Sequence, residues 1–295
     1  MDFVFQAMNT IKQVTIIGTG LIGGSLALAL RHRGIRVIGS DKPRVLAKAE
    51  EMGAIDSGIE NPARACVGSN VVILAANVGG IIDSIENLGP TLQRDILMTD
   101  VGSTKVEILK RAKSVFGAGS GTRFLGGHPM AGKEHSGIEN ADRGLFSRAA
   151  WIFTPEGDHL GDLAHEYIKL IASLGTDVLH LSAEQHDRLV AWTSHLPQML
   201  STAFAAVLQD EAELEKKARV THAQMQGVGG RPLHEMTRIA SSPYSMWRDI
   251  ALTNATNIED AILKLEQRLT HIRENLRTPE LRVEFERAAR FKKAD

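Results

Sequence analysis

The sequence predicts an α/β fold: a parallel sheet covered by helices on both faces, followed by an all-α helical domain. Three observations predict it. Short, continuously apolar, β-branched runs alternate with helical patterns as far as residue 181. The first of those runs leads directly into a spaced set of glycines, Gly18-x-Gly20-x-x-Gly23. From Ser182 onward only helical periods continue. Continuous apolar strands alternating with helices imply a sheet buried on both faces, and a later change of period implies a second architecture.

Val14-Thr15-Ile16-Ile17 reads as the first buried strand, and the glycine set opens an Ala/Leu-rich helix that Gly34 closes. Arg36 to Gly39 forms the second strand and ends at Ser40-Asp41. Val71 to Ala75 and Ile96 to Thr99 follow at the spacing of βαβ units, and Phe124-Leu125, Trp151 to Phe153 and Val178 to Leu181 extend the same sheet. In the last third, Ile258, Ile262, Leu265, Leu269, Ile272 and Leu276 step by four and three alternately. That seam suits packing along a partner helix and favours self-association over an ordinary core helix.

With 295 residues the chain has room for two domains, read as 1–181 and 182–295. Apolar residues at 43% and charged residues at 23% give the balance of a soluble globular chain rather than a disordered one. A formal charge of -1 offers no field for nucleic acid or an anionic membrane. No apolar run approaches the length of a bilayer span, and the first ten residues lack the basic and apolar regions of a signal peptide. The one cysteine, Cys66, reads as a small buried apolar residue, and a cytoplasmic location is expected.

A glycine set between a strand and a helix is a Rossmann-type dinucleotide fingerprint. The glycines permit close backbone approach, and the helix N-terminus, at Leu21 and Ile22, offers N–H groups to a pyrophosphate. Asp41, at the end of the second strand, can accept from ribose hydroxyls and would repel a 2′-phosphate, which favours NAD over NADP. Lys42 and Arg44 beside it keep NADP open. The loop names a cofactor and not a reaction. Further along, Thr99-Asp100-Val101-Gly102-Ser103-Thr104-Lys105 leaves a strand at the carboxyl edge of the sheet, and Gly126-Gly127-His128-Pro129-Met130-Ala131-Gly132-Lys133-Glu134 follows. His128, held between glycines and a proline, is placed to take a proton from a hydroxyl whose carbon gives hydride to a nicotinamide.

These segments, with Ser194-His195-Leu196-Pro197, Met236-Thr237-Arg238-Ile239-Ala240 and Met246-Trp247-Arg248-Asp249-Ile250, resemble the prephenate/arogenate dehydrogenase family from about Val14 to about Leu276. The resemblance implies a Rossmann-type domain and a helical domain that forms most of a homodimer. It also implies NAD-dependent oxidative decarboxylation of a cyclohexadienyl acid on the way to tyrosine, without a metal. By the same resemblance His128 is the catalytic base, Ser103 orients it beside hydroxyl and nicotinamide, and Arg238 grips the side-chain carboxylate. Glu134 and Trp247 line or gate the site, and Ser194 faces the substrate. The chain departs from the family at Gln198, where many members carry a second substrate-contacting histidine. A neutral amide there is compatible with arogenate, whose ammonium replaces the keto group. Asn77 and His234 also differ from the usual proline and basic residue, and the stretch from Gly229 to Glu235 carries an apparent extra residue.

A β-hydroxyacid dehydrogenase or imine reductase would share the two-domain plan but use an interdomain lysine, and residues 183–200 hold none. A nucleotide sensor without chemistry would have lost His128, Ser103 or Arg238, and all are present. The nineteen residues from Arg277 to Asp295 are fewer than the ~50 of a small regulatory domain, so any inhibition by tyrosine is expected to be competitive at the substrate site.

Overall fold

The computed structural model describes residues 10–133, 135–157, 160–214 and 222–293. Strands β1 (Gln13–Ile17), β2 (Arg36–Ser40), β3 (Ser57–Gly58), β4 (Val71–Leu74), β5 (Leu97–Asp100), β6 (Phe124–Pro129), β7 (Ala150–Thr154) and β8 (Asp177–His180) form one sheet. Their order is β3-β2-β1-β4-β5-β6-β7-β8. Between them run α1 (Leu21–His32), α2 (Pro43–Glu51), α3 (Pro62–Ala65), α4 (Val78–Leu88), α5 (Val106–Phe116), α6 (Ser120–Arg123) and α7 (Asp162–Ala172). The strand order reverses between β1 and β4, the switch point at which such sheets bind ligands beyond their carboxyl ends.

Alternate strand residues feed opposite faces, as a two-residue period requires. Val14, Ile16, Val71 and Ile73 join Leu26, Leu30, Tyr167 and Ile171 in one core. Val72, Leu74 and Met98 join Ile81, Ile85, Ile108 and Ala112 in the other. Three of the helix starts, those of α2, α3 and α4, are marked in the sequence. Pro43 and Pro62 occupy first-turn positions, and Asn77 caps α4 by accepting the Gly80 N–H at 3.1 Å.

Two features differ from the sequence expectation. β3 is a two-residue edge strand beside β2, too short to show a period. β6 and β7 are antiparallel, so the sheet is parallel except at that one pair. Among the described residues between them, the regular structure is the single 3-10 turn Ile138–Asn140. Without a crossover helix the chain re-enters from the end at which it left, which forces antiparallel pairing.

The later helices are α8 (Ala183–Val190), α9 (Leu196–Leu214), α10 (His222–Thr237), α11 (Tyr244–Thr253), α12 (Ala255–Glu274) and α13 (Glu280–Lys292), with a π turn over Ala191–His195 between α8 and α9. α10 breaks at Gly230, where φ is 56°, with Pro232 just beyond. The chain divides into two compact units, Met1–Arg188 with Ser241–Thr253 and Leu189–Ala240 with Asn254–Asp295. The first unit therefore takes in residues 182–188 and α11 from the segment that the change of period marks as helical. Side-chain bonds account for it. The Asp249 carboxylate on α11 accepts the Gly79 N–H of α4 at 3.0 Å, and the Thr253 and Thr104 hydroxyls lie 2.8 Å apart. In the second unit the seam of α12 is divided. Ile258 is buried, Ile262 and Leu265 are half-buried, and Leu269 and Leu276 are 51% and 61% exposed, Leu276 beyond the helix end.

Candidate functional site

The nucleotide loop lies at the switch point. Gly18 adopts φ 93°, and a Cβ there would sit 2.6 Å from the Ala75 carbonyl oxygen at the end of β4. A Cβ on Gly23 would overlap the Gly18 carbonyl. Both positions therefore exclude a side chain, one by backbone conformation and both by packing. Gly20 caps α1 without a side-chain hydrogen bond, and nothing lies within 4 Å of the place its Cβ would take. The N–H groups of Leu21 and Ile22 open the helix, so an anion could approach the loop closely. Asp41 is fixed beyond β2. Its Oδ2 accepts the Thr19 N–H at 2.7 Å, and its Oδ1 accepts the Lys42 N–H at 2.7 Å. Lys42 and Arg44 are exposed. These residues fit a dinucleotide.

His128 sits on β6 opposite Ile152 of β7. The two glycines before it have a packing reason: a Cβ on Gly127 would lie 2.8 Å from the Asp100 carbonyl oxygen, and one on Gly126 would overlap the Thr154 hydroxyl. Beneath them runs Lys105. Its ammonium pairs with Asp100 and donates to the Gly127 carbonyl at 2.7 Å. Asp100 in turn accepts the N–H groups of Gly102 at 2.7 Å and Gly127 at 3.1 Å. Asp100 and Lys105 are fully buried. Burial pulls the Lys105 ammonium below the usual lysine value, against the opposing influence of Asp100 and Asp187. The pair ties the bend that carries Ser103 to the strand that carries His128.

The other partner of His128 comes from α8. His128 Nδ1 lies 2.8 Å from His186 Nε2, and His186 Nδ1 lies 2.8 Å from Asp187 Oδ1. Asp187 accepts the N–H groups of Lys105 at 2.7 Å and Val106 at 2.9 Å, where α5 begins. Burial holds His186 below the usual imidazole value, outweighing its hydrogen bond to Asp187.

The remaining predicted residues are distributed as follows. Ser103 is half-buried in the bend between β5 and α5, and Trp247 is half-buried on α11, both within the first unit. Ser194 lies in the π turn, a helical irregularity that recurs at functional sites. Arg238 is exposed and opens the 3-10 turn Arg238–Ser241. Gln198 is buried and donates through Nε2 to the Ile239 carbonyl at 2.9 Å and the Thr202 hydroxyl at 3.1 Å. It thereby holds the turn of Arg238 against α9. Glu134 lies outside the described residues.

Sequence reasoning missed Asp100, Lys105, His186 and Asp187. Asp100 and Lys105 stand in a segment singled out for Ser103, but nothing local says that a lysine there is buried. His186-Asp187 is an adjacent imidazole–carboxylate pair just after the last strand, and that adjacency was its available signal. Among the described residues no group of three potential ligands could hold a metal ion. No helix among them is long and apolar enough to cross a membrane.

Residues 26–178 match the family model of the prephenate dehydrogenase nucleotide-binding domain, and residues 182–288 match that of the prephenate dehydrogenase dimerization domain. The chain is 31% identical over 264 residues to the prephenate dehydrogenase of Lactococcus lactis subsp. cremoris, covering 88% of this chain and 70% of that protein. Among solved structures it resembles the prephenate dehydrogenase of Aquifex aeolicus in complex with hydroxyphenyl propionate and NAD+. There the TM-score is 0.83 at 29% identity, over 96% of this chain and 98% of the other. It also resembles Synechocystis arogenate dehydrogenase, with a TM-score of 0.77 at 25% identity, over 95% and 99% of the two chains.

Proposed function

The chain belongs to the prephenate dehydrogenase family, and from that premise we propose that it oxidises and decarboxylates a cyclohexadienyl acid, prephenate or arogenate, with NAD. The observation that carries the reading is His128, 9% exposed on a strand of the nucleotide-binding sheet, with its Nδ1 2.8 Å from His186 Nε2. NAD, when bound, supplies the hydride acceptor. The N–H groups of Leu21 and Ile22 would hold its pyrophosphate, and the glycines would let it approach. Asp41 would accept from its ribose hydroxyls and disfavour a 2′-phosphate.

At the reacting end, Nε2 of His128 takes the proton of the ring hydroxyl as the carbinol carbon gives up hydride. The new carbonyl is conjugated through the ring and draws the electron pair of the bond to the ring carboxylate, so carbon dioxide leaves. The ring becomes aromatic, and the phenolate oxygen recovers the proton from His128. Ser103 steadies the hydroxyl beside His128, and Arg238 grips the side-chain carboxylate. By the family resemblance, Ser194, Gln198, Glu134 and Trp247 are the further residues expected to act on the substrate.

Arogenate is the favoured substrate. Gln198 commits Nε2 to Ile239 and Thr202, so its two amide hydrogens are used and its oxygen is left to meet a ligand. An oxygen suits an ammonium better than a keto group. A homodimer formed through the second unit goes with this reading. Its support is the match to a dimerization domain and the exposed Leu269, Leu276, Phe285 and Phe291 of that unit. A cytoplasmic location goes with it as well.

Reduction of nicotinamide with prephenate and with arogenate, each with NAD and with NADP, tests the reading. Fastest turnover with arogenate and NAD is expected. Failure with both acids would overturn the function, and a preference for prephenate would overturn the role of Gln198.

A further inference from the structure

We propose that His186 and Asp187 are a positioning pair for His128, fixing its ring in the tautomer that carries the hydrogen on Nδ1 and none on Nε2. The inference rests on the reading of His128 as the base, and its argument is the direction of the hydrogen bonds. Both oxygens of Asp187 accept backbone N–H groups, from Lys105 and from Val106. Its contact with His186 Nδ1 at 2.8 Å therefore places the hydrogen on the imidazole. The reverse would set a bare ring nitrogen against a carboxylate oxygen at hydrogen-bond distance.

With its hydrogen on Nδ1, neutral His186 offers Nε2 as an acceptor. The groups facing it are Asp100 on β5, Lys105 before α5, His128 on β6 and Asp187 on α8. Full burial of His186 disfavours a second proton, and the Lys105 ammonium opposes one as well. His128 Nδ1, 2.8 Å from that acceptor, must then be the donor. A neutral imidazole carrying its hydrogen on Nδ1 has a lone pair on Nε2. When Nε2 takes the substrate proton, the Nδ1–H bond to His186 is retained and the cation is held in place. No proton passes to His186 or Asp187. The ring of His128 is also steadied in angle, since the two imidazoles meet edge to face at 64° with centroids 5.1 Å apart.

Two substitutions separate an acceptor from mere bulk. His186→Leu removes the acceptor, whereas His186→Gln offers an amide oxygen near the position of Nε2. A hydrogen bond to a group that becomes charged in the reaction is worth ~10–100-fold in rate, so kcat of the leucine variant should fall by that factor. KM and NAD affinity should stay within about twofold. The glutamine variant should recover about tenfold of the loss, because it restores the same kind of acceptor. Ring 15N shifts of the wild-type protein give a second readout at neutral pH: Nδ1 protonated and Nε2 bare in both His186 and His128. A leucine variant with unchanged kcat, a glutamine variant no better than leucine, or a His186 ring protonated at Nε2 would overturn the proposal. If the wild-type protein turned over neither acid, the functional reading would fail, and the ring shifts would still decide whether the pair sets the tautomer.

Discussion

Replacing Lys105 with methionine keeps most of the volume of its stem and removes the cation beneath the histidine strand. Asp100 would keep the N–H groups of Gly102 at 2.7 Å and Gly127 at 3.1 Å and lose its ammonium partner. Neither side chain has any exposed area, so water cannot replace the lost charge. Breaking a buried pair by removing one partner costs ~3–5 kcal/mol, a large part of the ~5–15 kcal/mol by which folded proteins are usually stable. The Gly127 carbonyl also loses its donor at 2.7 Å, one residue before the base. Urea unfolding followed by circular dichroism measures the first effect. At a slope of ~3 kcal/mol per molar, the midpoint should fall by ~1–1.7 M. Steady-state kinetics on the folded variant measures the second, and kcat should fall with KM little changed. A midpoint within ~0.3 M of the parent, less than ~1 kcal/mol at that slope, would refute the reasoning.

Arg238→Ala should raise the substrate KM by ~10–100-fold, the worth of a charge-assisted hydrogen-bonded pair, with a smaller effect on kcat in initial-rate assays. An unchanged KM would move the carboxylate clamp elsewhere, with Arg231 or Arg248 next in line. Acid stability should report His186. Its folded pKa is lowered by burial from 6.5, so below about pH 6.5 the unfolded chain binds the additional proton. Stability is therefore full above that pH and declines as pH falls toward the folded value, by up to ~1.4 kcal/mol per pH unit for one proton. Thermal melts of wild type and His186→Gln should converge as pH is lowered through this window, and parallel curves would exclude His186 as the source.

The sheet was legible because buried parallel strands are continuous apolar runs, and Val71 to Leu74 and Leu97 to Asp100 lie where such runs predict them. β3 was not, since two residues carry no period. The antiparallel β6–β7 pair was hidden because strand direction depends on the path of residues 130–149, in which apolar patterning is silent. The glycine loop was readable from its context between strand and helix, and the structure adds the reason: at Gly18 and Gly23 a Cβ has no room. His128 stood out through its neighbours, but its support did not. Lys105 looks like a surface lysine in sequence and is fully buried, and His186-Asp187 reaches β6 from 58 residues further along the chain. The α12 seam was visible as a heptad, but which of its residues pack within their own unit is set by tertiary structure. Ile258 is buried there and Leu269 is not.

The central claim is that His128 is the base of the oxidation, and His128→Asn tests it most directly, with kcat and NAD affinity measured on the same preparation. The variant should bind NAD as the wild type does while kcat falls by ~10²–10⁴-fold, the usual contribution of a positioned general base. A variant that binds NAD normally and turns over at the wild-type rate would remove His128 from the chemistry and, with it, the reading of the site.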